Sequence, residues 1–151
     1  YLLNKTKIRD IMIKKVITVS PNASLEDAIY LMLQHKIGVL PVLDKDELCG
    51  IITDRDVFKT FLHVSGYGIE GTRLVLEADN VVGVLAKVAD AISKENLNIR
   101  RTVVDSRPSG KTVIEIHIDG HGETLTLKEN LEKIGVTVSS IEKTSEKESL
   151  L

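Results

Sequence analysis

Short apolar runs take turns with helical stripes along this chain. That change of period, from about 2 to about 3.6 residues, separates strands from helices. In the first half, Lys7–Met12 has room for one helical turn, and Val16–Val19 reads as a short strand closed by Ser20-Pro21. Ser24, with Asp27 three residues on, predicts a helix N-cap. Leu25, Ala28, Ile29 and Met32 form the apolar stripe of that helix, which ends near His35-Lys36. The runs Gly38–Leu43 and Leu48–Thr53 flank a charged turn and predict two paired strands. Asp54–Val64 returns to helical spacing, with Val57, Phe58, Phe61 and Leu62 on one side. The order over residues 1–65 is β-α-β-β-α.

Ser65–Gly71 carries three glycines and no period, so residues 66–71 read as a linker between domains. Beyond it, Arg73–Ala78 alternates as a strand, and Val81–Lys94 carries a stripe of Leu85, Val88, Ala89 and Ile92. Asp79-Asn80 is placed to cap that helix, and Gly83 in its first turn reads as a site of close approach. Ile99–Asp105 and Lys111–Asp119 predict a hairpin through Arg107-Pro108-Ser109-Gly110. A helix over Thr124–Ile134 and a strand over Val136–Glu142 complete β-α-β-β-α-β, a ferredoxin-like plait in residues 72–145. Residues 146–151 read as a polar tail. The fold class expected is α+β.

Thr53 and Asp56 stand where the third strand hands over to its helix. Unpaired backbone N–H groups and the positive end of the helix dipole gather there. Two readings stand side by side. A hydroxyl and a carboxylate in that position can hold phosphate and sugar hydroxyls. Thr-x-x-Asp is also a capping box, in which each side chain satisfies a helix-end donor.

Composition narrows the classes. The chain has 151 residues, 42% apolar and 28% charged, which is a globular composition with room for one domain or two small ones. A net charge of −2 gives no basic footprint, so nucleic acid is not an expected partner. No apolar run reaches the ~20 residues of a membrane span, and a cytoplasmic setting is expected. Cys49 stands alone in an apolar strand and reads as a buried small hydrophobe. The chain opens on Tyr1-Leu2-Leu3 without methionine, which reads as part of something longer.

The stretch from Ile11 to Leu62, with IM before VITVSP, then HKIGVLPVLD and GIITDRD, resembles a CBS motif. That family works in pairs that hold adenosine-type nucleotides, such as AMP or ATP, in the clefts between motifs. The resemblance implies that Thr53 meets phosphate or ribose oxygens and that Asp56 accepts from ribose hydroxyls. Ile37, Gly38 and Pro41 would wall the base, with Val16 and Ile17 closing the other side. Lys15 would reach a phosphate, or is a solvated lysine. Only one such motif stands in this sequence, so either an upstream motif is missing or two copies supply the pair. A homodimer is expected.

The second half, through GTRLVLEADNVVGVLAKVADAISKENLNI, resembles an ACT domain, a module that senses amino acids in many metabolic enzymes. The family often has proline before the junction glycine, where this chain has Val82. The resemblance implies an amino-acid ligand at a dimer interface, with Asn80, Val84 and Asn98 as contacts and Gly83 allowing close approach. Asn80 reads equally as only a helix cap and Asn98 as only a turn residue.

His117, Asp119 and His121 lie close in sequence, but no further ligand accompanies them, and a metal is not expected. His35 and His63 read as isolated helix-end residues. No spacing offers a catalytic triad or a glycine-rich phosphate loop, so no catalytic residue is nominated. Together the two resemblances imply a non-catalytic regulatory protein, similar to the bacterial acetoin-utilisation regulator group. It would sense an adenosine nucleotide, and an amino acid at the second domain, and act on a metabolic enzyme. The alternatives are a ligand-free dimerisation module and the regulatory fragment of a larger enzyme.

Overall fold

A computed structural model of the chain describes residues 5–120 and 124–147. They form two compact units that divide between Phe61 and Leu62. The mixture of helices and two separate antiparallel sheets is α+β, as the periodicity predicts.

The first unit runs α1 (Ile8–Ile11), α2 (Leu25–His35), β1 (Val39–Asp44), β2 (Glu47–Thr53) and into α3 (Asp54–Ser65). Ser24 caps α2 in both directions: its Oγ accepts from the Asp27 amide at 3.0 Å, and Asp27 accepts from the Ser24 amide at 3.1 Å. The core is small. Ala28, Met32, Leu40 and Val57 are buried, with Ile17, Val19, Leu25, Ile29, Leu31, Ile37 and Ile52 packed around them. Leu40 pairs with Ile52 on the core face, so Val39, Pro41, Ile51 and Thr53 share the opposite face by register.

Three expectations change here. The strand expected at Val16–Val19 shrinks to one bridge, Val19 to Val42: the Val19 amide donates to Pro41 and its carbonyl accepts from Leu43, but Pro41 has no N–H to continue the ladder toward Ile17. Cys49 is exposed, because a bulge in the β1–β2 register leaves it unpaired between Leu48 and Gly50. Only Val57 of the α3 stripe is buried in the first unit; Phe58 and Phe61 are 66% and 62% exposed, since no element of this unit covers that flank.

The second unit runs β3 (Gly71–Asp79), α4 (Val84–Lys94), β4 (Ile99–Ser106), β5 (Lys111–Ile118), α5 (Thr124–Lys133) and β6 (Thr137–Thr144). The sheet order is β4-β5-β3-β6, antiparallel throughout. Leu74, Leu76, Ile114, Ile116 and Ile118 point from β3 and β5 onto Val88, Ile92, Leu127 and Leu131 of the two helices. This is the larger core.

The helix expected from Val81 begins at Val84 instead, with Gly83 at the N-cap and φ +87°. No side chain caps it, so Asp79-Asn80 does not play that part. A Cβ on Gly83 would meet nothing within 4 Å, so the glycine serves a left-handed backbone and not a close approach in this chain. β6 reaches Thr144 because β3 starts at Gly71 and pairs with it there. The glycine-rich segment is bonded to this unit as well: Thr144 Oγ1 donates to the Ile69 carbonyl at 2.7 Å, and the Lys147 amide to Gly68 at 3.1 Å.

Candidate functional site

Thr53 and Asp56 form a complete capping box. Asp56 Oδ2 accepts from the Thr53 amide at 2.9 Å and from its hydroxyl at 2.7 Å. Thr53 Oγ1 in turn accepts from the Asp56 amide at 3.3 Å. These bonds, led by the one from the Thr53 hydroxyl, hold the Asp56 carboxyl below its usual range. The box uses Oδ2 and leaves Oδ1 outside it. Thr53 is half-buried and Asp56 exposed, so both remain reachable from the outer sheet face.

Ile37 and Gly38 open on a cleft of ≈ 440 Å³ beside Met32, Asp54, Val57 and Phe58. The Gly38 backbone lies close to Asp54, whose amide donates to the Gly38 carbonyl at 2.9 Å; a Cβ on Gly38 would come within 2.8 Å of Asp54 Oδ2. Thr53, Asp56 and Pro41 do not line that cleft; Pro41 shares the outer sheet face with Thr53. Ile17 packs on the core, while Val16 and Lys15 are exposed. The residues expected to meet one nucleotide are thus divided between a cleft and a sheet face.

The four residues expected to meet an amino acid are divided too. Asn80 donates its amide to Gly110 at the end of the sheet where β3 leaves. Asn98 donates its side-chain amide to Asp119 at 2.9 Å at the other end, beside the start of β3. Gly83 and Val84 go with Asn80, at the start of α4. A β-α-β order sends the chain out along the strand and back along the helix, so these positions do not meet within one copy. Asp119 also receives the Arg100 guanidinium. Of the set-aside metal group, His121 lies outside the described residues; His117 and Asp119 are engaged as described here and below.

His117 is the residue that periodicity undervalued. It stands on the outer face of β5, yet it is only 7% exposed. Burial, then the charges of Arg100 and Arg101, push its pKa down, against a smaller opposing pull from the Ile69 carbonyl. The unfolded chain therefore takes up the proton first, near pH ~6.5, and stability falls as pH drops below that value toward the folded pKa. Above it the contribution is fully present. Asp56 acts in a separate, lower window: its contribution is present above ~3.9 and lost as pH falls toward its lowered pKa. Urea melts between about pH 8 and about pH 5 are expected to show the first decline, and His117→Gln to flatten it.

A family model described as a CBS domain matches residues 8–63, and one described as an ACT domain matches residues 72–136. The chain is a CBS domain followed by an ACT domain. The CBS domain-containing protein YhcV of Bacillus subtilis is 38% identical over 72 residues, covering 48% of this chain and 49% of that protein. Inosine-5'-monophosphate dehydrogenase of Methanocaldococcus jannaschii is 50% identical over 52 residues, 34% of this chain but 10% of the enzyme. Among solved structures, a CBS-domain protein of Burkholderia ambifaria is 33% identical, covering 44% of this chain and 48% of that one, with a TM-score of 0.41. This chain spans about half or less of the length of the curated relatives it matches. The dehydrogenase match is local to the CBS domain. CBS and ACT domains together make a regulatory, ligand-sensing module. Among the described residues no helix is long and apolar enough to cross a membrane.

Proposed function

We propose that this chain is a non-catalytic regulator whose CBS domain contributes half of an adenosine-nucleotide site. The observation that carries this reading is the outer sheet face: Val39, Pro41, Ile51 and Thr53 share it, Ile51 is 64% exposed, and Asp56 Oδ1 stands free of the capping box beside it. A second CBS motif laid on that face, from a second copy or from a longer chain, would cover the apolar residues and complete the cleft. Thr53 would then meet phosphate or ribose oxygens and Asp56 the ribose hydroxyls, with Ile37, Gly38, Pro41, Val16 and Ile17 about the base and Lys15 toward phosphate. Pairing of ACT domains would bring Asn80, Gly83 and Val84 of one copy toward Asn98 of another, as an amino-acid site requires. The output is a metabolic enzyme in the cytoplasm, whose activity follows the ligand through differential affinity for two arrangements.

The test is a thermal melt of the full chain with AMP and ATP. A rise in melting temperature is expected, and Asp56→Ala is expected to weaken binding about ten- to a hundredfold, the effect of losing a hydrogen bond to a charged group. Asp56→Asn keeps an acceptor for the Thr53 amide and serves as the fold control. A wild-type melt unmoved by either nucleotide at millimolar concentration would sink the sensor. That result would favour a ligand-free assembly module, in which Thr53 and Asp56 serve only as the capping box of α3.

A further inference from the structure

A cavity of ≈ 410 Å³ opens on the sheet face that α4 and α5 leave bare. Its floor is Arg73, Glu115, His117 and Glu142, and its rim includes Tyr67 and Lys147, all within the second unit. His117 Nε2 lies 2.9 Å from Thr144 Oγ1. That hydroxyl has one proton and gives it to the Ile69 carbonyl, so toward His117 it can only accept. The imidazole proton therefore sits on Nε2, and Nδ1 is left as a bare acceptor. Among the described residues Nδ1 has no hydrogen-bond partner.

Arg73 stands directly across from His117 in the β3–β5 register. Its terminal nitrogens are taken, one by Glu142 at 2.7 Å and the other facing Glu115 at 3.7 Å. Its Nε–H is buried and unpartnered like His117 Nδ1. Two residues that line the cavity thus carry an unmet acceptor and an unmet donor beneath its surface, a combination that native interiors rarely leave unexplained.

We propose that this cavity binds a small neutral molecule through a carboxamide, whose N–H donates to His117 Nδ1 and whose carbonyl oxygen accepts from Arg73 Nε–H. Charge and hydrogen-bonding capacity favour a neutral group that both donates and accepts, and a carboxamide does so from two adjacent atoms. A carboxylate brings two acceptors and no donor, and meets the bare Nδ1 lone pair with Glu115 and Glu142 on either side. An ammonium satisfies Nδ1 but leaves the Arg73 donor unmet beside another positive charge. A carboxamide answers both at once, and the cavity is of small-molecule size. Both nitrogens are screened from water in this arrangement, so a ligand reaches them only once neighbouring groups shift; Tyr67 and Lys147, whose ammonium meets the phenol oxygen and lies 4.3 Å from the ring centroid, stand exposed at the rim. The site is separate from the nucleotide face and from the Asn80 and Asn98 positions, and does not depend on either.

The test is nitrogen-15 NMR of the histidine side chains in the full chain. The probes are L-glutamine and nicotinamide, each paired with its acid, L-glutamate and nicotinate; the two amides separate an amino-acid ligand from an aromatic one. The expected result is an upfield move of the His117 Nδ1 resonance by several ppm with at least one amide and with neither acid. Arg73→Lys, which keeps the charge but removes the Nε–H, should weaken that response at least about tenfold. Arg73→Met is the second variant, and the Ile114 and Ile116 methyl signals report that the unit stays folded. A resonance unmoved by both amides overturns the proposal, and so does an equal response to the acids or an undiminished response in the folded Arg73 variants.

Discussion

Gly71→Ala is expected to unfold much of the second unit at temperatures where the wild type is intact. Gly71 has φ +154°, and a Cβ there would lie 2.4 Å from the Ile118 carbonyl oxygen and 2.9 Å from Cε1 of His117. The carbonyl cannot retreat freely, because Thr72 and Ile118 are paired at the end of the β3–β5 ladder. Strained backbone costs about 1–3 kcal/mol and overpacking about 1–3, giving about 2–6 kcal/mol together. In a unit of this size that lowers the melting temperature by about 10 °C or more. Gly83→Ala separates the two causes. Its φ is +87° but its Cβ would meet nothing within 4 Å, so it should cost only the backbone part. Equal losses in the two variants would mean that the strand end yields and that His117 is not wedged against Gly71.

That wedge is also why His117 could not be read from the sequence. Alternation in Lys111–Ile118 correctly puts Ile114, Ile116 and Ile118 on the core face and His117 on the other. What buries His117 comes from far along the chain: Gly71 against its ring, Thr144 on Nε2, and the glycine-rich segment beyond. Periodicity reports the face a residue occupies but not what later covers it. The same limit worked in reverse at Phe58 and Phe61, whose spacing is helical but whose side of α3 is uncovered within the first unit. Cys49 escaped for a different reason, since a one-residue bulge leaves no mark in an apolar run.

Local signals fared better. Ser24 with Asp27, and Thr53 with Asp56, are boxes whose bonds span three residues, and both form as their spacing predicts. Yet the box at Thr53 satisfies the helix end whether or not a nucleotide is bound, so its formation does not choose between the two readings of that pair. The separation of Asn80 from Asn98 was available in principle. A strand followed by an antiparallel helix must place the residue after the helix near the start of the strand, the end opposite Asn80.

Leu40→Ala is expected to abolish protection of the β1 and β2 amides from hydrogen exchange while β3 and β5 stay protected. Among the described residues, Leu40 is fully buried in a core with only Ala28, Met32 and Val57 as other buried members, against twelve buried hydrophobic residues in the second unit. Removing a buried leucine costs about 2–5 kcal/mol, and a unit near 60 residues buries too little surface to absorb that. The variant also sharpens the question of the nucleotide. A ligand present at a hundred times its Kd adds about 2.7 kcal/mol to whatever it binds, which is comparable with the loss. Saturating AMP or ATP should therefore restore slow exchange to β1 and β2 in Leu40→Ala if either nucleotide binds the CBS domain, and leave β3 and β5 untouched. Exchange that stays fast, in a sample whose wild type is stabilised by the same nucleotide, would move the binding site off this unit altogether.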